Sequence, residues 1–239
     1  MTNGGAAITM RGYVEGRNFA EAHRYIIKEL IFYGDELSTD YDKENEPPSL
    51  DLPMMVEIDM PVHNEPVFSK CAYDSAEGML RYRDEIVDGT HDHLTDQLSY
   101  TYHDRMVDQF NGVAEELIRN RHSRRAQMIT WIPDVDLGAE YPPCLQRVWF
   151  RERNGFLDMH THWRSRDAFK AWASNVFGLY FLHKRFAEKL DVDMGYYREF
   201  VDSMHIYGRD RMAAESAVNR GIEAWRWSFS DILLEASNA

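Results

Sequence analysis

The chain has 239 residues and a formal net charge of −13, an acidity that disfavours partners bound through a phosphate backbone, since such binding relies on clustered Lys and Arg. Apolar residues make up 44% and charged residues 28% of the sequence, which is typical of globular proteins and unlike disordered ones. The sequence shows neither a membrane-spanning run nor the basic start and apolar stretch of a signal peptide. We therefore expect one cytoplasmic domain over residues 1–239.

Hydrophobic periodicity predicts the secondary structure. Helices are predicted over 18–30, 75–87, 104–120 and 167–190. The third helix carries an apolar stripe of Met106, Val107, Phe110, Val113, Leu117 and Ile118. Strands are predicted over 54–60, 126–132, 145–153 and 155–163, with Asn154-Gly155 as the hairpin turn between the last two. Helices around a strand-rich centre indicate an α+β or layered α/β fold.

Cysteine usage draws attention to Cys144. The chain contains Cys71 and Cys144 alone, too few for a disulfide framework. Pro142 and Pro143 precede Cys144, and their fixed φ angles predict a thiol held in a defined direction beside a strand. Guanidinium groups nearby are expected to lower the pKa of this thiol and to make it a nucleophile. The alternative, a small buried hydrophobic residue, is our interpretation of Cys71.

Two further patterns leave alternatives open. Arginines cluster in the middle of the acidic chain, which favours either a site for a small phosphorylated ligand or a salt-bridged surface; they are Arg121, Arg124, Arg125, Arg151, Arg153, Arg164 and Arg166. Strand alternation places His160 and His162 on one face, a spacing that suits a metal. No third and fourth ligands can be placed, so a hydrogen-bonded polar face is favoured and no metal site is predicted.

Several short motifs follow one another in a familiar order. From about residue 100 to residue 210 the chain carries, in this order, Tyr102, Ser123-Arg124-Arg125-Ala126, Pro142-Pro143-Cys144, Arg164-Ser165 with Asp167, Asn175, and His205-Ile206-Tyr207. This order resembles the thymidylate synthase family, which includes the pyrimidine hydroxymethylases, and most closely its compact archaeal-type members. The resemblance implies a large mixed sheet flanked by helices, and a homodimer formed through that sheet.

The resemblance also implies roles for these residues. Cys144 would add to C6 of dUMP, so that C5 attacks a one-carbon unit carried by 5,10-methylenetetrahydrofolate or a related pterin. Tyr102 matches a catalytic position. The remaining implied contacts are Arg164 and Ser165 to the 5′-phosphate, Arg124 and Arg125 to the phosphate of the other subunit, Asn175 to the base, His205 and Tyr207 to the 3′-hydroxyl, and Asp167 to the folate ring. Family members that act on cytosine carry Asp at the position of Asn175, so a uracil base is expected.

The sequence departs from the bacterial pattern at several positions. Leu145 stands where bacterial members have His. Tyr82 lies near the position of a Glu that orders a proton-relaying water, with Glu77 and Glu85 as neighbours. A tryptophan that shields the intermediate from water has no clear match, the nearest aromatic residue being Tyr73, and the C-terminal DILLEASNA differs from the family tail.

These departures leave two reactions open: a synthase that makes dTMP, and a hydroxymethylase in which water gives 5-hydroxymethyl-dUMP. A third alternative is a non-catalytic nucleotide- or RNA-binding module on the same fold, which would not need Cys144.

Overall fold

A computed structural model describes residues 11–59, 65–70, 74–95 and 99–238. The strands are β1 Tyr13–Gly16, β2 Asp35–Leu37, β3 Ser49–Ile58, β4 Val67–Ser69, β5 Gln127–Ile129, β6 Leu145–Arg153, β7 Phe156–Trp163, β8 Arg166–Asp167, β9 Asp193–Ile206 and β10 Arg226–Ser228. The α-helices are α1 Phe19–Tyr33, α2 Ala76–Asp88, α3 Tyr102–Arg119, α4 Pro133–Asp136, α5 Trp172–Leu190, α6 Arg211–Val218 and α7 Phe229–Ser237. Single 3₁₀ turns occur at Asp92–Leu94, Gly208–Asp210 and Ile222–Trp225.

A mixed sheet forms the centre of the fold. Its strand order is β1-β3-β9-β7-β6-β5, with β2 paired to β3 and β8 paired to β9. The β1/β3, β7/β9 and β8/β9 pairs are parallel, and the other pairs in this sheet are antiparallel. Strands β4 and β10 form a separate antiparallel ribbon. The long β9 lies inside the sheet, so both of its edges are hydrogen-bonded.

The two faces of the sheet differ in their covering. Helices α1 and α5 pack over one face, where apolar residues such as Val56, Met159 and Val201 are fully buried. On the other face, Tyr13, Met55 and Phe200 occupy neighbouring strands in one register and are exposed by 38%, 46% and 42%. The fold therefore has one closed core and one open sheet face, on which these apolar side chains are partly exposed.

Most predicted elements are confirmed. Asn18, Ser75 and Thr101 cap the N-termini of α1, α2 and α3 with their side chains. The predicted hairpin is present as β6 and β7, and Asn154 and Gly155 adopt positive φ angles of 55° and 87°, as its two-residue turn requires. The end of the strand predicted over 54–60 lies outside the described residues, as do Cys71 and Tyr73.

Some element boundaries and faces differ from the predictions. Helix α5 was predicted from residue 167 but begins at Trp172. Arg166 and Asp167 instead pair with β9 as a short strand. In α3, Val107 and Ile118 are exposed by 38% and 59%, so the predicted apolar stripe was too wide. Strand β9 was not predicted at all. No helix in the described parts of the chain is both long enough and apolar enough to span a membrane.

Candidate active site

Cys144 and Arg164 lie together at one end of β6 and β7. The Arg164 backbone N–H donates to the Cys144 carbonyl oxygen at 2.9 Å, which fixes the two residues side by side. The Arg164 guanidinium donates through Nε to Pro143 O at 3.0 Å and through Nη2 to Pro142 O at 2.7 Å. The same Nη2 lies 3.6 Å from the Cys144 Sγ. The two prolines thus position the cation as well as the thiol.

The prediction that nearby guanidinium groups lower the pKa of the Cys144 thiol below its usual value was wrong. Burial raises the pKa of Cys144, and the positive charges of Arg164 and Arg166 only partly oppose that effect. The thiol is half-buried against the hydrophobic core, where the thiolate loses hydration that the guanidinium groups do not replace. In the free protein the protonated thiol is therefore favoured more strongly than in an ordinary cysteine.

Two tyrosines stand beside the thiol. The Tyr102 hydroxyl accepts a hydrogen bond from the Leu145 backbone N–H at 3.2 Å. Tyr100, which the sequence did not single out, places its ring centroid 5.7 Å from that of Tyr102. Burial raises the pKa of both phenols, and a negative charge on Cys144 would raise them further. Both side chains therefore hold their protons, so they offer neutral O–H groups beside the sulfur.

A second group of predicted residues surrounds the junction of β8 and β9. The pairing of these strands sets Asp167 opposite His205. The Ser165 Oγ lies 3.5 Å from His205 Nδ1, and the His205 ring packs against Tyr207 with centroids 4.8 Å apart. Asp167 Oδ1 accepts the backbone N–H groups of Phe169 and Lys170. Desolvation raises the pKa of Asp167, while the Lys170 N–H and His205 oppose that shift.

Asn175 meets a residue from another helix. Its Nδ2 donates to the Tyr82 hydroxyl at 2.7 Å, joining α5 to α2. Burial raises the pKa of Tyr82 far above its usual value. The sequence placed Tyr82 near the position of the family's carboxylate but gave no sign of this contact, since the two residues are 93 positions apart.

Arg124 and Arg125 lie apart from the Cys144 group. Both are exposed, just before β5. Arg125 pairs with Glu116 at 3.0 Å, and the Arg124 carbonyl accepts the Trp149 Nε1–H. Among the residues that the structure describes, neither guanidinium contacts Cys144, Arg164 or Ser165. Within one subunit, these arginines do not complete the site.

The histidines considered as metal ligands have other partners. His162 Nε2 lies 3.0 Å from an Asp202 carboxylate oxygen, and His160 Nε2 lies 3.4 Å from Arg198 Nη1. Burial lowers the pKa of His160 to about 4, with Arg198 adding to the effect. Within the described ranges, no group of three or more His, Cys, Asp and Glu side chains is placed to hold a metal.

A cavity of about 770 Å³ lies at the other end of the sheet. Ile58, Asp193 and Met194 line it, at the end of β3 and the start of β9. His205 lies at the opposite end of β9. The cavity therefore does not belong to the Cys144 group.

The fold and the site together define a class: an α+β protein whose mixed sheet presents a cysteine thiol, a guanidinium and a serine-histidine pair at one end of its strands. Comparison with known sequences narrows this class. The family model described as Thymidylate synthase matches residues 79–228, and the chain belongs to that family.

Similar curated proteins carry the name "Putative thymidylate synthase". The protein of Methanocaldococcus jannaschii is 40% identical over 113 residues, covering 45% of this chain and 51% of the relative. That of Methanothermobacter marburgensis is 35% identical over 127 residues, covering 51% and 57%. That of Methanosarcina barkeri is 31% identical over 168 residues, covering 66% and 76%. The chain thus spans about half the length of the first two relatives.

Proposed function

We propose that the protein transfers a folate-borne one-carbon unit to C5 of dUMP and makes dTMP, with Cys144 as the nucleophile. The observation that carries this proposal is the placement of the Cys144 Sγ 3.6 Å from Arg164 Nη2, with both residues held by the Pro142-Pro143 segment. A thiol and a guanidinium so close together can serve the base and the phosphate of one nucleotide. Membership of the thymidylate synthase family supports the same assignment.

The proposed chemistry begins at Cys144. The thiolate adds to C6 of the pyrimidine, and the displaced π electrons make C5 nucleophilic. Burial raises the pKa of the free thiol, and we assign its deprotonation to the substrate-bound state, with the Arg164 charge stabilising the thiolate. Tyr102 keeps its proton at neutral pH, and we assign it to guiding the proton that leaves C5.

Substrate recognition follows from the neighbouring polar groups. Arg164 and Ser165 bind the 5′-phosphate, and His205 and Tyr207 bind the ribose 3′-hydroxyl, which favours a deoxynucleotide. Asn175 contacts the edge of the base, where an amide offers both a donor and an acceptor to uracil. These residues are half-buried, except for His205, which is buried at 8% exposure. Half-buried polar side chains of this kind support a ligand-binding role for this part of the molecule.

The one-carbon donor is assigned to 5,10-methylenetetrahydrofolate or a related pterin. Asp167 fits such a group: its half-buried carboxyl has Oδ1 anchored by two backbone N–H groups, and carboxylate oxygens accept the N–H donors of a pterin ring. When bound, the donor supplies the one-carbon unit and, in a synthase, the hydride. A working thiol needs a reducing compartment, which supports a cytoplasmic location.

A hydroxymethylase is the second candidate. Helix α7 near the C-terminus contacts the β4 side of the molecule: Ser230 donates to Glu65 at 2.7 Å and Lys70 pairs with Glu235 at 3.0 Å. The contacts of α7 also include α2 and β10. Access of water to the one-carbon group at C5 would give 5-hydroxymethyl-dUMP instead of dTMP.

We also propose a homodimer formed through the open sheet face. A row of cross-strand neighbours runs over this face from β1 to β5. It consists of Tyr13, Met55, Phe200, His162, Arg147 and Ile129. Exposed apolar groups on neighbouring strands are typical of an interaction surface. Arg124 and Arg125 are exposed and contact neither Cys144 nor Arg164 among the described residues, which supports their donation to the partner's phosphate site.

Incubation with dUMP and methylenetetrahydrofolate tests the proposal. Dihydrofolate absorbance together with a methylated nucleotide in the mass spectrum identifies a synthase, whereas a hydroxymethyl product without dihydrofolate identifies the hydroxymethylase. Cys144→Ser is expected to abolish either product while dUMP binding persists. Normal turnover by that variant would contradict the covalent mechanism. Asn175→Asp is expected to admit dCMP, and unchanged selectivity would contradict its role at the base.

A further inference from the structure

Helices α2 and α5 meet closely at Tyr82. Asn175 and Gly178 are three residues apart on α5, so they face the same side of that helix. A Cβ at Gly178 would lie only 3.0 Å from Tyr82 Cδ1. The missing side chain at Gly178 therefore lets the Tyr82 ring rest on α5, with its hydroxyl 2.7 Å from Asn175 Nδ2.

The hydrogen bonds of this pair are incomplete. The Tyr82 oxygen accepts the Asn175 amide proton, but within the described residues no carbonyl, carboxylate or hydroxyl accepts the Tyr82 proton. Desolvation raises the pKa of this phenol, so it stays a neutral donor throughout the physiological range. Both side chains keep part of their surface exposed. Once a ligand displaces water from that surface, the unused donor needs an acceptor on the ligand.

The orientation of Asn175 indicates which acceptor this is. One of the two Nδ2 protons is bonded to Tyr82, which fixes the amide orientation, and within the described residues no group donates to the Asn175 Oδ1. This oxygen can accept a proton, and the N3–H of uracil is such a donor. The carbonyl at C4 is bonded to the carbon next to N3. A base that donates N3–H to Asn175 therefore brings its O4 toward the neighbouring phenol.

We propose that Tyr82 donates its phenolic proton in a hydrogen bond to O4 of the pyrimidine while it holds Asn175 in the orientation that accepts N3–H. This inference rests on the proposed function and assigns Tyr82 as a substrate-contacting catalytic residue. Cytosine carries an amino donor at the same position, so two donors would face each other there. Tyr82 and Asn175 therefore select uracil together.

The chemical role follows from electron movement in the ring. As Cys144 sulfur bonds to C6, the C5–C6 π pair moves to C4–C5 and the C4–O4 π pair moves onto O4. The Tyr82 O–H stabilises the resulting oxyanion, much as oxyanion-hole donors do. Protonation of C5 by solvent and loss of a C5 proton, followed by expulsion of the thiolate, restore dUMP. No oxidant or reductant is required.

This reversible cycle gives a folate-free assay. The protein is incubated with dUMP in D₂O, and loss of the C5–H signal is followed by NMR. Tyr82→Phe keeps the ring against Gly178 and removes the hydroxyl. We expect exchange to slow about 100-fold, the Kd for dUMP to rise less than about tenfold, and the preference for dUMP over dCMP to shrink. Tyr180→Phe, a matched change on α5 at the remote cavity, is expected to exchange at the normal rate.

The outcomes separate the two proposals. Normal exchange and normal base preference in Tyr82→Phe would overturn the role of Tyr82 and leave the proposed function standing. Absence of exchange and of dUMP binding in the unmodified protein would overturn the proposed function itself. If Tyr82→Phe fails to fold, Gly178→Ala provides the test, because it keeps the phenol while its Cβ, 3.0 Å from Tyr82 Cδ1, forces the ring to shift. Slower exchange in that variant supports the inference, and unchanged exchange contradicts it.

Discussion

At Cys144 two opposing effects set the reactivity of one sulfur atom. The core that packs around the residue disfavours a thiolate, and Arg164, held 3.6 Å away by its bonds to Pro142 and Pro143, favours one. Burial is the larger effect, so the free protein keeps its thiol protonated. Such a site limits alkylation and oxidation before substrate arrives, since the thiolate is the reactive form.

Removal of the Arg164 charge should make the thiol still less acidic. In the unmodified protein, we expect iodoacetamide alkylation of Cys144 to rise with pH through a midpoint above about 8.5, the usual value for cysteine. In Arg164→Gln the midpoint should move higher and the rate at pH 7.5 should fall. Mass spectrometry of the Cys144 peptide measures both, with Arg185→Gln, an exposed arginine on α5, as the control. A lower midpoint in Arg164→Gln would contradict this account.

The motifs predicted that Cys144 lies near the Arg164 guanidinium, and the 3.6 Å approach of Arg164 Nη2 to the sulfur confirms it. The approach of Ser165 to His205 was not predicted. The sign of the Cys144 pKa shift was not predictable, since it depends on how much core packs around the sulfur. Tyr100 and the Tyr82–Asn175 bond were also missed. Both depend on contacts between distant elements, which leave no periodic signal in either segment.

At the scale of elements, β9 pairs with β3, β7 and β8 at the centre of the sheet. The hydrophobic pattern of the sequence did not predict this strand. Its inward position 199 is a glutamate, which breaks the apolar alternation that predicts a strand. The fold accommodates Glu199 because Arg166 of β8 pairs with it, with side-chain exposures of 1% for Arg166 and 0% for Glu199. Trp172 Nε1, from α5, donates to the other Glu199 oxygen at 2.7 Å. A buried ion pair thus joins three elements.

Breaking this pair should destabilise the protein strongly. Glu199→Gln leaves the Arg166 charge buried without a counterion, and we expect a loss of about 3–5 kcal/mol in the free energy of unfolding. Arg166→Met combined with Glu199→Leu removes both charges and should recover much of that loss. Urea unfolding of the single and double variants measures the difference. A single variant within about 1 kcal/mol of the unmodified protein would show that water or another group neutralises Arg166.

At the scale of the whole molecule, the proposed dimer would explain both the open sheet face and the exposed Arg124 and Arg125. The face that carries Tyr13, Met55 and Phe200 has no helix covering it among the described elements, and Arg124 and Arg125 stand exposed beside β5 at the sheet edge. A two-fold dimer through this face would cover the apolar side chains and bring each arginine pair toward the partner subunit. The dimer stays a prediction that the family resemblance makes and that the exposed face supports.

Subunit mixing tests the shared site directly. Cys144→Ser and the double variant Arg124→Gln/Arg125→Gln should each lose activity as homodimers. Denatured together in equal amounts and refolded, they form about half heterodimers, each with one site that holds both an intact thiol and the arginines of the Cys144→Ser subunit. Activity should therefore return to about a quarter of the unmodified level. A mixture of Cys144→Ser with Cys144→Ala should stay inactive. If heterodimers form without recovered activity, Arg124 and Arg125 serve their own subunit and the site is not shared.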